Sequence, residues 1–165
     1  MKFLREHTDK AKLAGVDTFN SVLFGQENGD RLLGGLGNSI IPKNLVHQYY
    51  DEVHWVSAGE AFLATRQLHR EKALFCGPTT GAAYMVASHI ANNEKKRPVL
   101  FISPDEGNRY VSSVYSNDWL KRNRVLLDLL PRVPKLVTDP KDAKQQWSYI
   151  NWDRRKLSDV IEKLK

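Results

Sequence analysis

The chain has 165 residues, 41% of them hydrophobic, with 25 Lys and Arg against 19 Asp and Glu for a formal net charge of +6. That length and apolar share suit one sizeable core and exclude disorder as the default, and the positive charges are scattered, with no run longer than Lys95-Lys96-Arg97, which describes a solvated surface rather than a nucleic-acid footprint. One cysteine, Cys76, excludes an internal disulfide and a Cys-rich zinc site, and no apolar run has the length of a membrane span.

Met1 to His7 carries charges where a signal peptide needs its apolar stretch, so a soluble, unprocessed, cytoplasmic protein is expected. The same residues read as the tail of a helix, because no N-cap precedes them. Lys12 to Val16 predicts a short buried strand closed by Asp17, and Phe19 to Phe24 is apolar but fits strand or helix equally. Gly25, Gly29, Gly34, Gly35 and Gly37 then mark a long loop, a length that in a compact domain is usually functional.

Val53 to Val56 predicts a strand, and Ser57-Ala58-Gly59-Glu60 behind it is a capping box opening a helix through Leu68. Leu74 to Cys76 predicts another strand, followed by Gly77-Pro78-Thr79-Thr80-Gly81 and a helix built on Ala82, Ala83, Met85, Val86 and Ile90. Pro98 to Ile102 predicts a further strand. Strand, helix, strand in this order predicts an α/β fold with parallel pairing, a partial three-layer sheet with flanking helices. Beyond Ser116, Leu126 to Leu130 is apolar, prolines 131, 134 and 140 interrupt, and Trp147, Tyr149 and Trp152 cluster ahead of a helical stretch from Leu157 to Leu164. Residues 1–116 are expected to form the main part of a domain, with 117–165 an extension packed on it.

Three stretches could carry chemistry. In Gly77–Gly81 a glycine bends the strand end and two hydroxyls stand at a helix mouth with its free amides and positive dipole end. On physics alone this is an ordinary helix cap or a small-ligand site. Ligands in open α/β sheets sit at such strand ends. Ser103 to Tyr110, also past a strand, reads as a turn in which Arg109 pairs with a nearby carboxylate, and Gly34-Gly35-Leu36-Gly37 lacks the Lys-Ser/Thr of a phosphate loop. His7, His47, His54, His69 and His89 have no metal-site spacing, so no metal is expected, and Cys76 in its apolar setting reads as packing rather than a nucleophile.

Taken in order, Leu23-Phe24-Gly25, Gly35-Leu36-Gly37, Ile41-Pro42-Lys43-Asn44-Leu45, Asp51-Glu52-Val53, Val56-Ser57, Glu60-Ala61, Gly77 to Ala83 and Pro104 to Tyr110 resemble the C-terminal half of cysteine synthase and its relative cystathionine β-synthase. The resemblance covers Met1 to Ser116 and implies the fold-type II architecture of pyridoxal-phosphate (PLP) enzymes, like that of the tryptophan synthase β subunit. It implies that Thr79 stands where the family's hydroxyl bonds the PLP ring nitrogen, with Gly77 and Thr80 beside it. Gly35 and Gly37 fall in the substrate-side loop. A neutral hydroxyl there suits β-elimination and replacement on an activated serine, such as O-acetylserine with sulfide.

The resemblance also places the family's Schiff-base lysine, substrate-carboxylate loop and phosphate loop ahead of the matched region. No catalytic residue is therefore expected within this chain, which alone would be inactive and would bind PLP weakly or not at all. A partner is implied, either the missing N-terminal half or a full-length homologous subunit, together with self-association. The alternative is a non-catalytic remnant acting as an interaction or regulatory protein. Neither nucleic acid nor membrane is expected as a partner.

Overall fold

A computed structural model describes residues 2–94, 97–127 and 133–161. Four strands, β1 (Ala14–Thr18), β2 (Glu52–Val56), β3 (Lys135–Leu136) and β4 (Ser148–Asn151), form one sheet in the order β1-β2-β4-β3. Five helices accompany them: α1 (Lys2–His7), α2 (Ala58–Lys72), α3 (Pro78–Asn93), α4 (Asn117–Arg122) and α5 (Leu157–Ile161). The α/β class inferred from the residues is the one observed. The end of the predicted stretch at Leu126–Leu130, Pro131 and the last residues of the predicted C-terminal helix lie outside the described residues.

β1 and β2 pair in parallel with Val16 opposite His54, as a strand-to-strand crossover requires. β4 runs antiparallel to β2, with Val53 opposite Ile150 and Trp55 opposite Ser148, so the sheet is mixed rather than parallel throughout. The aromatic cluster of the C-terminal region is thus a strand in the middle of the sheet. Successive side chains on β2 point to opposite faces. Val56 joins Ala61, Phe62, Ala82, Val86, Leu120 and Trp147 on the α2–α3 side, and Val53 and Trp55 join Phe24, Val137, Ile150, Trp152 and Val160 on the other. Apolar layers therefore cover both faces.

The capping box forms as the spacing predicts: Ser57 Oγ accepts from the Glu60 amide at 3.2 Å, and Glu60 Oε2 accepts from the Ser57 amide at 2.8 Å. Glu60 is 1% exposed, and its other oxygen accepts from the Trp147 amide at 2.7 Å. One carboxylate thus starts α2 and fastens the C-terminal strand to it. At the far end, Ala73 at φ 54° stops the helix behind His69, Arg70 and Lys72, whose charges suit a helix C-terminus.

Several sequence expectations differ from what forms. Asp17 lies inside β1 rather than closing it, and Phe19–Phe24 becomes a single 3-10 turn at Val22–Phe24, capped by Ser21 and ended by Gly25 at φ 89°. The predicted strands at Leu74–Cys76 and Pro98–Ile102 are absent from the sheet. All that remains of them is a bridge from Cys76 to Glu106. A strand exists only where a neighbour takes its backbone groups: the segment at 74–76 finds only the short stretch at 105–107, and that at 98–102 finds no backbone partner among the described residues. No described helix is long and apolar enough to cross a membrane.

Candidate functional site

Three segments meet at the N-terminal mouth of α3. Gly77 is the N-cap, at φ −88° and ψ 174°, and makes no side-chain capping bond; Pro78 follows at a position where a missing N–H costs nothing. Thr79 therefore sits two residues past the cap, not on it, and neither threonine hydroxyl is spent in capping. The two hydroxyls part company at this point. Thr80 is 2% exposed and turned inward, its Oγ1 donating to Asp105 Oδ1 at 2.9 Å and standing 3.0 Å from Ser103 Oγ. Thr79 is half-buried, and its hydroxyl has no hydrogen-bond partner among the described residues.

Gly77 must be glycine because of what crowds it. A Cβ there would lie 2.0 Å from Asp105 Oδ2 and 2.5 Å from Tyr110 Cε2, and the Gly77 amide donates to the Asp105 carbonyl at 3.1 Å. Asp105 thus braces the turn from outside through its backbone and through Thr80. Its Oδ2 is buried without a partner among the described residues. Gly81 likewise lets α3 press on α2, since a Cβ would meet Thr65 Oγ1 at 2.1 Å and the Ala61 carbonyl at 2.5 Å.

The glycine loop supplies the opposite wall. Leu33, 2% exposed, anchors it in the α2–α3 core, and Gly35 at φ 88° then faces the threonine. A Cβ on Gly35 would stand 3.0 Å from Thr79 Oγ1 and 3.8 Å from Tyr110 Oη. Gly37, at φ 79°, serves a different contact: its missing Cβ would be 2.9 Å from Thr18 Cγ2 and 3.0 Å from Ser21 Cβ. Gly35 and Thr79 are brought together; Gly37 seats the loop on the end of β1. A polar hollow of about 520 Å³ runs along the loop from Asn28 to Ser39.

Two carboxylates near this region were not singled out from the sequence. Asp17 is fully buried beneath the loop, and burial pushes its carboxyl up to about 6 despite bonds from the Thr18 amide and Ser21 and the nearby Arg31 guanidinium. Asp105 lay in a flagged stretch, but the expectation there was an ion pair for Arg109, which is exposed and forms none among the described residues. The carboxylate bonds a threonine 25 positions away instead. No local spacing reports such a contact. Burial and the adjacent Asp105 raise the Tyr110 hydroxyl above its ordinary range, and the same two causes raise the Cys76 thiol, which fits the reading of Cys76 as packing.

No family model matches the chain. A curated relative, the N-(2-amino-2-carboxyethyl)-L-glutamate synthase of Cupriavidus metallidurans, is 34% identical over 143 residues, 81% of this chain and 42% of that protein. Among solved structures, an O-acetylserine-dependent cystathionine β-synthase from Helicobacter pylori is 31% identical with a TM-score of 0.58, over 68% of this chain and 37% of that one. The chain is related to the cysteine synthase-type proteins of fold type II. A cysteine synthase from Entamoeba histolytica, at 22% identity and a TM-score of 0.65 over 79% of this chain and 41% of that one, shares the fold. The chain spans about two fifths of the length of the cysteine synthase-type proteins it matches.

The residues at the α3 mouth fit the ring edge of PLP, the cofactor of this enzyme type. A flat heteroaromatic ring needs one hydrogen-bonding group at its nitrogen and backbone without side chains alongside. Thr79 keeps a free hydroxyl, and Gly35 leaves open the space that a Cβ would fill.

Proposed function

We propose that residues 1–165 form the ring-binding part of a PLP-dependent enzyme that replaces the β-substituent of an activated serine. The observation that carries this reading is the unpartnered Thr79 hydroxyl at the mouth of α3, opposite Gly35, in a chain related to the cysteine synthase group. PLP, when bound, supplies the electron sink that lets the β-substituent depart. Thr79 would hold the ring nitrogen through a neutral hydrogen bond, which leaves that nitrogen less proton-rich than a carboxylate partner would. Thr80, fixed by Asp105 and Ser103, keeps the turn in register so that Thr79 points outward. Gly77 and Gly35 admit the close approach of backbone and ring, and Gly37 holds the loop down on β1.

The product of the curated relative indicates the class of nucleophile. A product called N-(2-amino-2-carboxyethyl)-L-glutamate carries a serine-derived three-carbon unit joined through its β-carbon to the nitrogen of glutamate. The curated relative therefore has an amine where cysteine synthase has sulfide, and an amino-acid amine is the nucleophile proposed for the present chain, with sulfide the alternative. The lysine and phosphate loop of the complete active site are assigned by family resemblance to sequence outside the matched region. The reaction accordingly belongs to an assembly of this chain with that remaining part.

The test is to join or co-express the chain with the portion of the Cupriavidus synthase that it does not match. The assembly is then supplied with PLP, O-acetylserine and either glutamate or sulfide, and products are read by mass spectrometry. A carbon–nitrogen adduct supports the proposal as stated, cysteine supports the sulfide alternative, and failure with both in a folded, PLP-binding assembly sinks the β-replacement reading.

A further inference from the structure

One buried titratable group on β2 has no part in the mouth of α3. His54 stands in the middle of the sheet, 1% exposed, its ring stacked at 5.3 Å and 15° on that of Tyr149, its partner across the β2–β4 pair. Its two nitrogens have neighbours of opposite demand. Nδ1 accepts from Trp147 Nε1 at 3.1 Å, and an indole N–H only donates, so this bond exists only while Nδ1 keeps its lone pair and the ring is neutral. Nε2 is buried without a hydrogen-bond partner among the described residues, and 3.4 Å from it lies Glu52 Oε1, a carboxylate oxygen that favours the charged ring. A charged imidazole holds a proton on both nitrogens. Charging His54 therefore sets two N–H groups against each other at the Trp147 contact, in a buried place, and gives Glu52 an ion pair in exchange. Trp147 matters beyond its own bond. Its amide donates to Glu60 Oε1 on α2, its carbonyl accepts from the Lys135 amide of β3 at 2.9 Å, and its ring lies in the α2–α3 core, edge-on to His89 of α3 at 5.2 Å.

We propose that His54 is a proton-operated latch: neutral, it fastens Trp147, and with it β4, to β2; protonated, it exchanges Trp147 for Glu52 as its partner and loosens β4. Each element packed around this spot supplies a titratable or charged group. β2 itself brings Glu52, β4 brings Tyr149, α3 brings His89, and α2 brings Glu60, whose carboxylate is spent on the Ser57 and Trp147 amides. Past the end of α3, Glu94 pairs with Lys12. Asp17 on β1 stands opposite Trp55 and so points to the other face of the sheet. Burial, and then the charge of His54, hold the His89 ring below the ordinary histidine range against the pull of Glu52, so His89 stays neutral while His54 takes its proton. The sign follows from which state binds the proton. Release of Trp147 frees Nδ1 to take one up, so acid favours the loosened state. Asp17 works in the opposite sense, its buried carboxyl gaining the folded chain stability as pH falls through about 6. A melting temperature mixes the two, and the latch has to be read locally.

The test follows the Trp147 indole N–H by nitrogen–proton NMR and the hydrogen exchange of the 148–151 amides, corrected for the intrinsic effect of pH, on the chain alone from about pH 8 to 5, the span in which histidine titrates. One step is expected, moving the indole signal away from its hydrogen-bonded position and speeding amide exchange in β4 at least about tenfold. His54→Asn, whose side-chain oxygen can still accept from the indole but takes up no proton, should flatten both readouts. His89→Gln should keep the step. Glu52→Gln, at a half-buried side chain, should move it to lower pH, because the charged ring loses its partner. Flat readouts in the unaltered chain overturn the proposal, as does a step that survives His54→Asn or disappears with His89→Gln. If His54→Asn does not fold, Glu52→Gln decides, and a step that it leaves unmoved overturns the latch. None of these readouts needs PLP or a partner, so the outcome is independent of the functional reading.

Discussion

Thr79 and Thr80 are adjacent in sequence yet chemically unlike in the fold, and the difference can be measured. A Thr79→Ala variant of the PLP-loaded assembly loses one neutral hydrogen bond, a net effect of about 0.5–1.5 kcal/mol, or roughly two- to tenfold in PLP affinity. The melting temperature of the chain alone should not move, because that hydroxyl bonds nothing there. Thr80→Val should do the opposite, destabilising the chain by leaving Asp105 Oδ1 without its donor. Asp17 and Asp51 make a second contrast. Burial holds the Asp17 carboxyl near 6, so between about pH 4 and 6 the folded chain keeps a proton that the unfolded chain has lost, and stability falls as pH rises through that window. The full effect is about 3 kcal/mol at most, and Asp17→Asn should remove that slope in a melting series from pH 4 to 8. Burial also pushes Asp51 up, but bonds from the Leu13 amide and from Arg154 and Arg5 outweigh it and hold its carboxyl below the ordinary range. Its contribution is present above about pH 4 and is lost on further acidification.

At the scale of elements, what could be read in advance was whatever neighbouring residues decide among themselves. Ser57 and Glu60 announce α2 because both halves of the box lie within one turn, and Ser57→Ala should cost about 1 kcal/mol in thermal or denaturant unfolding. Glu60→Ala should cost more, since it also strands the Trp147 amide in a buried place. Gly81→Ala forces apart α2 and α3, where backbone as well as a threonine stands in the way, and a loss of about 1–3 kcal/mol is expected from the same unfolding measurement. The segments at 74–76 and 98–102 show the reverse case. Their composition is that of strands, but a strand is a relation between two segments: 74–76 meets only the short stretch at 105–107, and 98–102 meets no backbone partner among the described residues. The same reason explains why β4 was read only as an aromatic cluster: nothing near Trp147 and Trp152 says that they will line up beside Val53 and Trp55.

For the whole molecule, order and spacing of motifs along the first 116 residues carried the family likeness, and the two-fifths coverage of the relatives agrees with a likeness to part of a longer fold. The pairing of Gly35 with Thr79 was legible only through that likeness, since 44 positions separate them and neither residue type is distinctive by itself. The role of Asp17 was not legible because it comes from burial, and that of Asp105 was not because its bond to Thr80 spans 25 positions. The proposed role of Thr79 as the ring contact is tested most directly by a PLP titration followed by visible absorbance on the chain alone, the wild-type assembly and the Thr79→Ala assembly. Expected are no retained absorbance for the chain alone after dialysis, a saturable band for the wild-type assembly, and a roughly two- to tenfold weaker midpoint with Thr79→Ala. Retention of PLP by the isolated chain, or a Thr79→Ala assembly that titrates like the wild type, would contradict it.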